Sequence, residues 1–244
     1  MDPVRNKKAV CLLSGGLDST TTLYVATEDR YTPLALTIDY GQLHSKEIEC
    51  ARRVAGHLKI EHKVISIPLP WGGSSLIDRK IPVPEGRSLQ EMSHGIPNTY
   101  VPARNTIFLS VAASYAEAQR AEAIYIGANA LDYSGYPDCR GEFFEAFSSL
   151  LKQGTKCGTE GKSIEIKTPL IQMKKSEIIR QAYRLKVPLE WTWSCYKGGA
   201  FPCGVCDSCI LREKGFQEAG LQDPLIRSST SLRATSSRHS RERS

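Results

Sequence analysis

The chain has 244 residues, 41% of them hydrophobic and 24% charged, which suits one sizeable globular domain with at most a small appendage. The net charge of +6 sits at the ends: residues 227–244 hold five arginines against one glutamate, residues 1–8 hold Arg5, Lys7 and Lys8 against Asp2, and the body sums to about zero. Nucleic-acid binders carry such an excess as a patch on the folded domain, so nucleic acid is disfavoured as a partner. The apolar run after the basic start, about five residues, is too short for a signal-peptide core or a membrane span. A cytoplasmic protein is expected.

In chain order, residues 9–13 read as a strand buried on both faces. Leu13, Ser14, Gly15, Gly16, Leu17, Asp18, Ser19, Thr20, Thr21, Thr22 and Leu23 follow, a Gly-Gly turn rimmed with hydroxyls that opens a helix running to about Thr27. Glycines let backbone N–H groups approach a ligand, and a helix N-terminus adds free donors and the positive end of its dipole. The fitting guest is a phosphate or pyrophosphate. No lysine follows Gly16 before Lys46, so this is not the Walker-type loop. Ser14-Gly-Gly-x-Asp18-Ser19 instead resembles the PP-loop of the ATP pyrophosphatase superfamily. That resemblance implies ATP cleavage between its α and β phosphates, transfer of AMP to an acceptor and retention of pyrophosphate.

A second strand ends at Asp39. Ser45 is placed to cap a helix with Ile48, Ala51, Val54, Ala55 and Leu58 at helical spacing, and residues 63–67 form a third strand. This β-α-β-α-β run predicts an α/β fold, a Rossmann-like parallel sheet with helices on both faces and ligands at the carboxyl ends of its strands. Residues 68–104 lack periodicity and carry several Pro and Gly, as a flap over the site or a subunit contact would. Ile107, Phe108, Val111, Ala112, Tyr115 and Ala118 mark an amphipathic helix, and residues 123–128 a fourth strand. The loop after it holds Asp132, Tyr133, Tyr136, Asp138 and Arg140 where a substrate would sit. A helix over 142–156 turns Phe143, Phe144, Phe147, Leu150 and Leu151 inward, residues 164–170 form a fifth strand, and Lys174-Lys175-Ser176-Glu177 starts another helix. After Leu221 the chain has little to bury, and residues 226–244 are expected to be disordered. The predicted units are residues 8–190 for the nucleotide-binding domain and 191–225 for a packed C-terminal segment.

That segment holds Cys195-x7-Cys203-x2-Cys206-x2-Cys209 on a Gly- and Pro-bearing loop. Four thiolates at this spacing suit a structural, tetrahedral Zn²⁺; an iron–sulfur cluster is the competing reading. Cys11, Cys50, Cys139 and Cys157 read as small buried apolar residues.

The PP-loop segment and the four cysteines resemble the 7-cyano-7-deazaguanine synthase (QueC) family together with four further segments. These are Asp39-Tyr-Gly-Gln42 with His44, Val101-Pro-Ala-Arg-Asn105, Asp132 through Arg140, and Lys167-Thr-Pro-Leu170 with Lys175. Leu17 stands where many members carry glutamine, and Ala103 where glycine is usual. The resemblance implies an ATP-dependent ligase. A 7-carboxy-7-deazaguanine carboxylate is adenylated and pyrophosphate leaves. Ammonia then forms the amide, and a second ATP activates the amide so that loss of AMP leaves the nitrile. It implies ATP with Mg²⁺ on residues 13–23, phosphate contact by Lys175, phosphate or substrate-carboxylate contact by Arg104, ATP or Mg²⁺ placement by Asp39, and a homodimer. Asp132, Tyr133, Tyr136, Asp138 and Arg140 would face the deazapurine. The chain leaves no room for a glutaminase domain, so free ammonium is the expected nitrogen donor. The alternative is a PP-loop tRNA-modifying enzyme, or a paralogue adenylating another acceptor.

Overall fold

The computed structural model describes residues 7–131 and 135–226. Five strands, β1 (Lys8–Leu12), β2 (Thr32–Asp39), β3 (His62–Ser66), β4 (Ala123–Tyr125) and β5 (Glu165–Lys167), form one parallel sheet in the order β3-β2-β1-β4-β5. Order reverses on either side of β1, so the crevice beyond the carboxyl ends of β1 and β4 is the topological switch point, where open α/β sheets bind ligands.

Strand periodicity sends alternate residues to opposite faces. Val10 and Leu12 of β1 join Leu34, Leu36 and Ile38 of β2 on one face, whereas Ala9, Cys11 and Leu13 join Ala35 on the other. The first face is covered by α4 (Arg104–Gln119) and α5 (Gly141–Gly154). The second is covered by α1 (Leu17–Glu28) and α2 (Lys46–Leu58). Beyond this layer, Ile178, Ile179 and Ala182 of α7 (Lys175–Arg184) pack on Phe216 of α8 (Asp207–Ala219). Two single turns, α3 (Leu89–Met92) and α6 (Lys156–Thr159), lie in the connections. None of the helices is long and apolar enough to cross a membrane.

Several expectations change. The fourth and fifth strands are three residues each rather than the longer runs predicted; past β4, Ile126 and Ala128 stay buried in the connection that lines the cleft. Leu150 is 58% exposed, and the buried stripe of α4 is Leu109, Ala112, Ala113 and Ala116. Ser45 occupies the N-cap of α2 with αR backbone and no side-chain cap bond. Cys50 and Cys157 are only half-buried, unlike Cys11 and Cys139.

Helix α8 lies where no element was expected beyond the cysteine loop. Its buried face carries Asp207 and Arg212 beside Cys209, Leu211 and Phe216, so apolar periodicity does not reveal it. Residues 221–225 do find a partner to bury against. Asp223 is buried, and its carboxylate receives Arg212 Nε at 2.6 Å and Nη2 at 2.9 Å. The same guanidinium donates to Thr192 Oγ1 and the Leu189 carbonyl, tying the chain before the cysteines to α8. The segment 68–104 also packs on this region: Gly86 N donates to the Val205 carbonyl at 2.8 Å, and Arg87 pairs with buried Asp207.

Candidate active site

The cleft at the switch point has a volume of about 250 Å³ and two chemically distinct ends. One is made by the turn between β1 and α1. Gly15 has φ +89°, and a Cβ there would lie 2.1 Å from the Glu47 carbonyl oxygen and 2.6 Å from Ala51 N. Only glycine permits both that backbone and the approach of α2. Ser14 Oγ lies 2.9 Å from Ser19 Oγ and accepts from Gly16 N at 3.2 Å, so the turn is braced by its own hydroxyls. Opposite, Gly127 follows β4 so closely that a Cβ would come within 2.8 Å of Ser19 N. Lys175 Nζ, from the start of α7, donates to both Asp18 oxygens at 2.9 and 2.8 Å. The result is a cradle of amides and hydroxyls at a helix N-terminus with a lysine at its mouth.

The other end is aromatic. Tyr40 directly follows β2, Phe108 lies on α4, and Tyr136 and Tyr196 come from later loops. The Arg104 guanidinium stands 5.7 Å from the Tyr40 ring centre and 6.0 Å from that of Phe108. Burial opposes the Arg104 charge, but Tyr40, Tyr136, Cys139 and Asp138 outweigh it and raise its pKa. Burial pushes the Glu47 carboxyl up to about 7, with Arg104 pulling it down and Cys195 pushing it further up. Ala103, the N-cap of α4, is left-handed at φ +53°, which explains physically why glycine suits this position.

Of the residues singled out from sequence, Leu13, Ser14, Gly16, Leu17, Asp18, Ser19, Arg104, Tyr136 and Lys175 line this cleft together. Gly15 and Thr20 to Leu23 do not; Thr21 Oγ1 donates to its own helix at the Leu17 carbonyl, and Leu23 is core. Asp39 stands off the cleft with Oδ1 accepting from Gly41 N at 3.2 Å, which fixes the turn carrying Tyr40 and Gln42 inward. Asp138 accepts from Asn105 N at 3.0 Å and, like Arg140, does not line the cleft. Asp132 and Tyr133 lie outside the described residues, as does the tail 227–244. Sequence reasoning missed Glu47, Gln42, Ser194, Tyr196, Ser208 and Arg212 as lining residues. For Ser194 and Tyr196 the available signal was that they flank Cys195.

The wall over the cleft comes from the cysteine segment. The sulfurs of Cys195, Cys203, Cys206 and Cys209 all lie within 4.8 Å of one another, and Cys203 Sγ is 3.9 Å from Cys209 Sγ. Four sulfurs about 2.3 Å from a central ion stand about 3.8 Å apart, so this donor set fits a tetrahedral metal. Backbone N–H groups of Lys197 and Cys203 donate to Cys195 Sγ, and that of Cys206 to Cys203 Sγ, as suits thiolates. Hydrogen bonds from Cys206 and Cys209 hold the Cys195 thiol far below its ordinary pKa. His44 packs against this loop at Gly198.

Residues 8–220 match the model of the family described as queuosine biosynthesis protein QueC. The 7-cyano-7-deazaguanine synthase of Trichodesmium erythraeum is 55% identical over 90% of this chain and 100% of its own length. That of Nostoc punctiforme is 56% identical over 90% and 99%. The synthase of Thermoplasma acidophilum is 50% identical over 91% and 92%.

Proposed function

The chain belongs to the QueC family, and on that premise we propose that it is a 7-cyano-7-deazaguanine synthase, an ATP-dependent carbon–nitrogen ligase. The observation that carries this reading is one cleft joining a backbone-lined anion cradle to an aromatic, arginine-bearing pocket. A carboxylate is a poor electrophile. It needs a leaving group before ammonia can attack, and AMP serves. Ser14, Ser19 and the N–H groups at the α1 N-terminus hold the pyrophosphate, and Lys175, preset by Asp18, neutralises charge as it leaves. Mg²⁺ bound at the same end would share that charge. Arg104 orients the substrate carboxylate towards the α-phosphate, and Tyr40, Phe108, Tyr136 and Tyr196 offer ring faces to the deazapurine.

Asp39 and Asp138 act through what they position, the Tyr40–Gln42 turn and the start of α4. The four cysteines would hold Zn²⁺ in a structural role, fastening the loop that brings Trp193, Ser194 and Tyr196 to the cleft. Incubation with MgATP, ammonium and 7-carboxy-7-deazaguanine, read by mass spectrometry, is expected to yield the nitrile, with AMP formed only when the carboxylate is present. AMP without nitrile, or no AMP from metal-loaded protein, contradicts the assignment.

A further inference from the structure

A cleft that must take a triphosphate and a carboxylate together has little use for a negative wall, yet two carboxylates line it. Asp18 is neutralised by Lys175. Glu47 has no such partner: among the described residues its carboxylate makes no hydrogen bond or ion pair, and Arg104 acts on it only through space. Its place is well defined. Glu47 lies in the first turn of α2, and its carbonyl oxygen packs on Gly15 of the cradle. Its backbone thus packs on the cradle while its carboxylate lies within electrostatic reach of Arg104, so Glu47 stands where the cradle meets the arginine that orients the substrate carboxylate. An open carboxylate there calls for a cation, and the reaction consumes one: at neutral pH the nitrogen donor is almost wholly ammonium.

We propose that Glu47 binds the ammonium ion and takes its proton before the nitrogen attacks the acyl-adenylate. The inference rests on the synthase reading above. Ammonium passes one proton to the Glu47 carboxylate. The freed nitrogen lone pair forms a bond to the acyl carbon. The bond from that carbon to the AMP oxygen breaks and AMP leaves with the electron pair. The new amide nitrogen gives its surplus proton to water, and Glu47 is deprotonated by solvent before the next turnover. A hydrogen bond to a charged group favours binding about 10- to 100-fold, and general-base help adds to that.

The test separates the two half-reactions in Glu47→Gln, with Glu47→Asp as the conservative variant. Carboxylate-dependent ATP–pyrophosphate exchange reports adenylation alone. Hydroxylamine, largely neutral at pH 7, traps the acyl-adenylate without needing an ammonium site. The expected result for Glu47→Gln is exchange and hydroxamate formation within about threefold of wild type, while kcat/KM for ammonium falls by about 100-fold. Glu47→Asp recovers part of that loss. An unchanged kcat/KM for ammonium overturns the proposal. So does loss of exchange in both variants, or a raised Mg²⁺ requirement for exchange, since Glu47 would then serve the nucleotide or its metal. Absence of exchange in the wild type, by contrast, overturns the synthase reading itself and this inference with it.

Discussion

The two ends of the cleft are built in opposite ways. The phosphate end is built on one contiguous stretch, Ser14 to Ser19, set by a strand, a Gly-Gly turn and a helix start and braced by its own hydroxyls, with Lys175 of α7 a remote side chain that pairs with it. The aromatic end is assembled from β2, α2, α4, the loop at Tyr136 and the cysteine segment. Its outer wall is held by four thiolates, the Arg212–Asp223 ion pair and the Arg87–Asp207 pair. A site made of backbone and local bonds persists when distant parts of the chain change. A site made of remote side chains does not. Nucleotide and deazapurine binding should therefore respond differently to damage in the C-terminal segment.

Loss of one of the four clustered cysteines gives the largest effect. Cys206→Ser is expected to abolish nitrile formation, falling by more than about 100-fold, while affinity for an ATP analogue changes by less than about threefold. Calorimetric titration checks the second half, and equal loss of both affinities would erase the distinction between the ends. Lys175→Ala strikes the other end. Carboxylate-dependent pyrophosphate exchange should drop about 100- to 1000-fold, with deazapurine binding retained. Arg212→Ala removes one member of a buried pair and leaves Asp223 unpaired, at a cost of about 3–5 kcal/mol in urea unfolding. The exposed Arg184–Glu28 pair provides the contrast: Arg184→Ala should leave the urea midpoint nearly unchanged.

The Glu47 carboxyl, raised by burial to about 7, makes stability depend on pH. Between the unfolded carboxyl's value near 4.5 and about 7, the folded state holds the proton more tightly than the unfolded one. Its contribution is fully present below that window and lost as pH rises through it. Comparing wild type with Glu47→Gln across pH 4–8 should show a difference of at most about 3 kcal/mol that levels off above pH 7. The smallest effect is at Ala103. Ala103→Gly relieves a left-handed alanine, and the gain is expected to stay under about 1 kcal/mol because glycine also loosens the unfolded chain.

What could be read from sequence follows the same division. The strands at β1 and β2 showed as apolar runs because they are buried on both faces, and the cradle showed because its residues are adjacent in the chain. The cysteine spacing likewise carried its own geometry. Helix α8 was hidden because Asp207 and Arg212 interrupt its apolar face, and their partners, Arg87 and Asp223, are set by the fold. Glu47 looked like an ordinary acid in the first turn of a helix; only the closeness of α2 to Gly15 brings it to the cleft. Asp138, expected to face the deazapurine, has one carboxylate oxygen on the Asn105 amide, a partner that only the fold sets.

The adenylating chemistry is tested most directly by following oxygen. With both carboxylate oxygens of 7-carboxy-7-deazaguanine carrying ¹⁸O, each activation transfers one of them to the phosphorus of AMP. The account predicts two AMP for every nitrile, each bearing one ¹⁸O, with unlabelled pyrophosphate. Unlabelled AMP, or label appearing in inorganic phosphate alongside ADP, would contradict activation through AMP and leave the cradle without its assigned role.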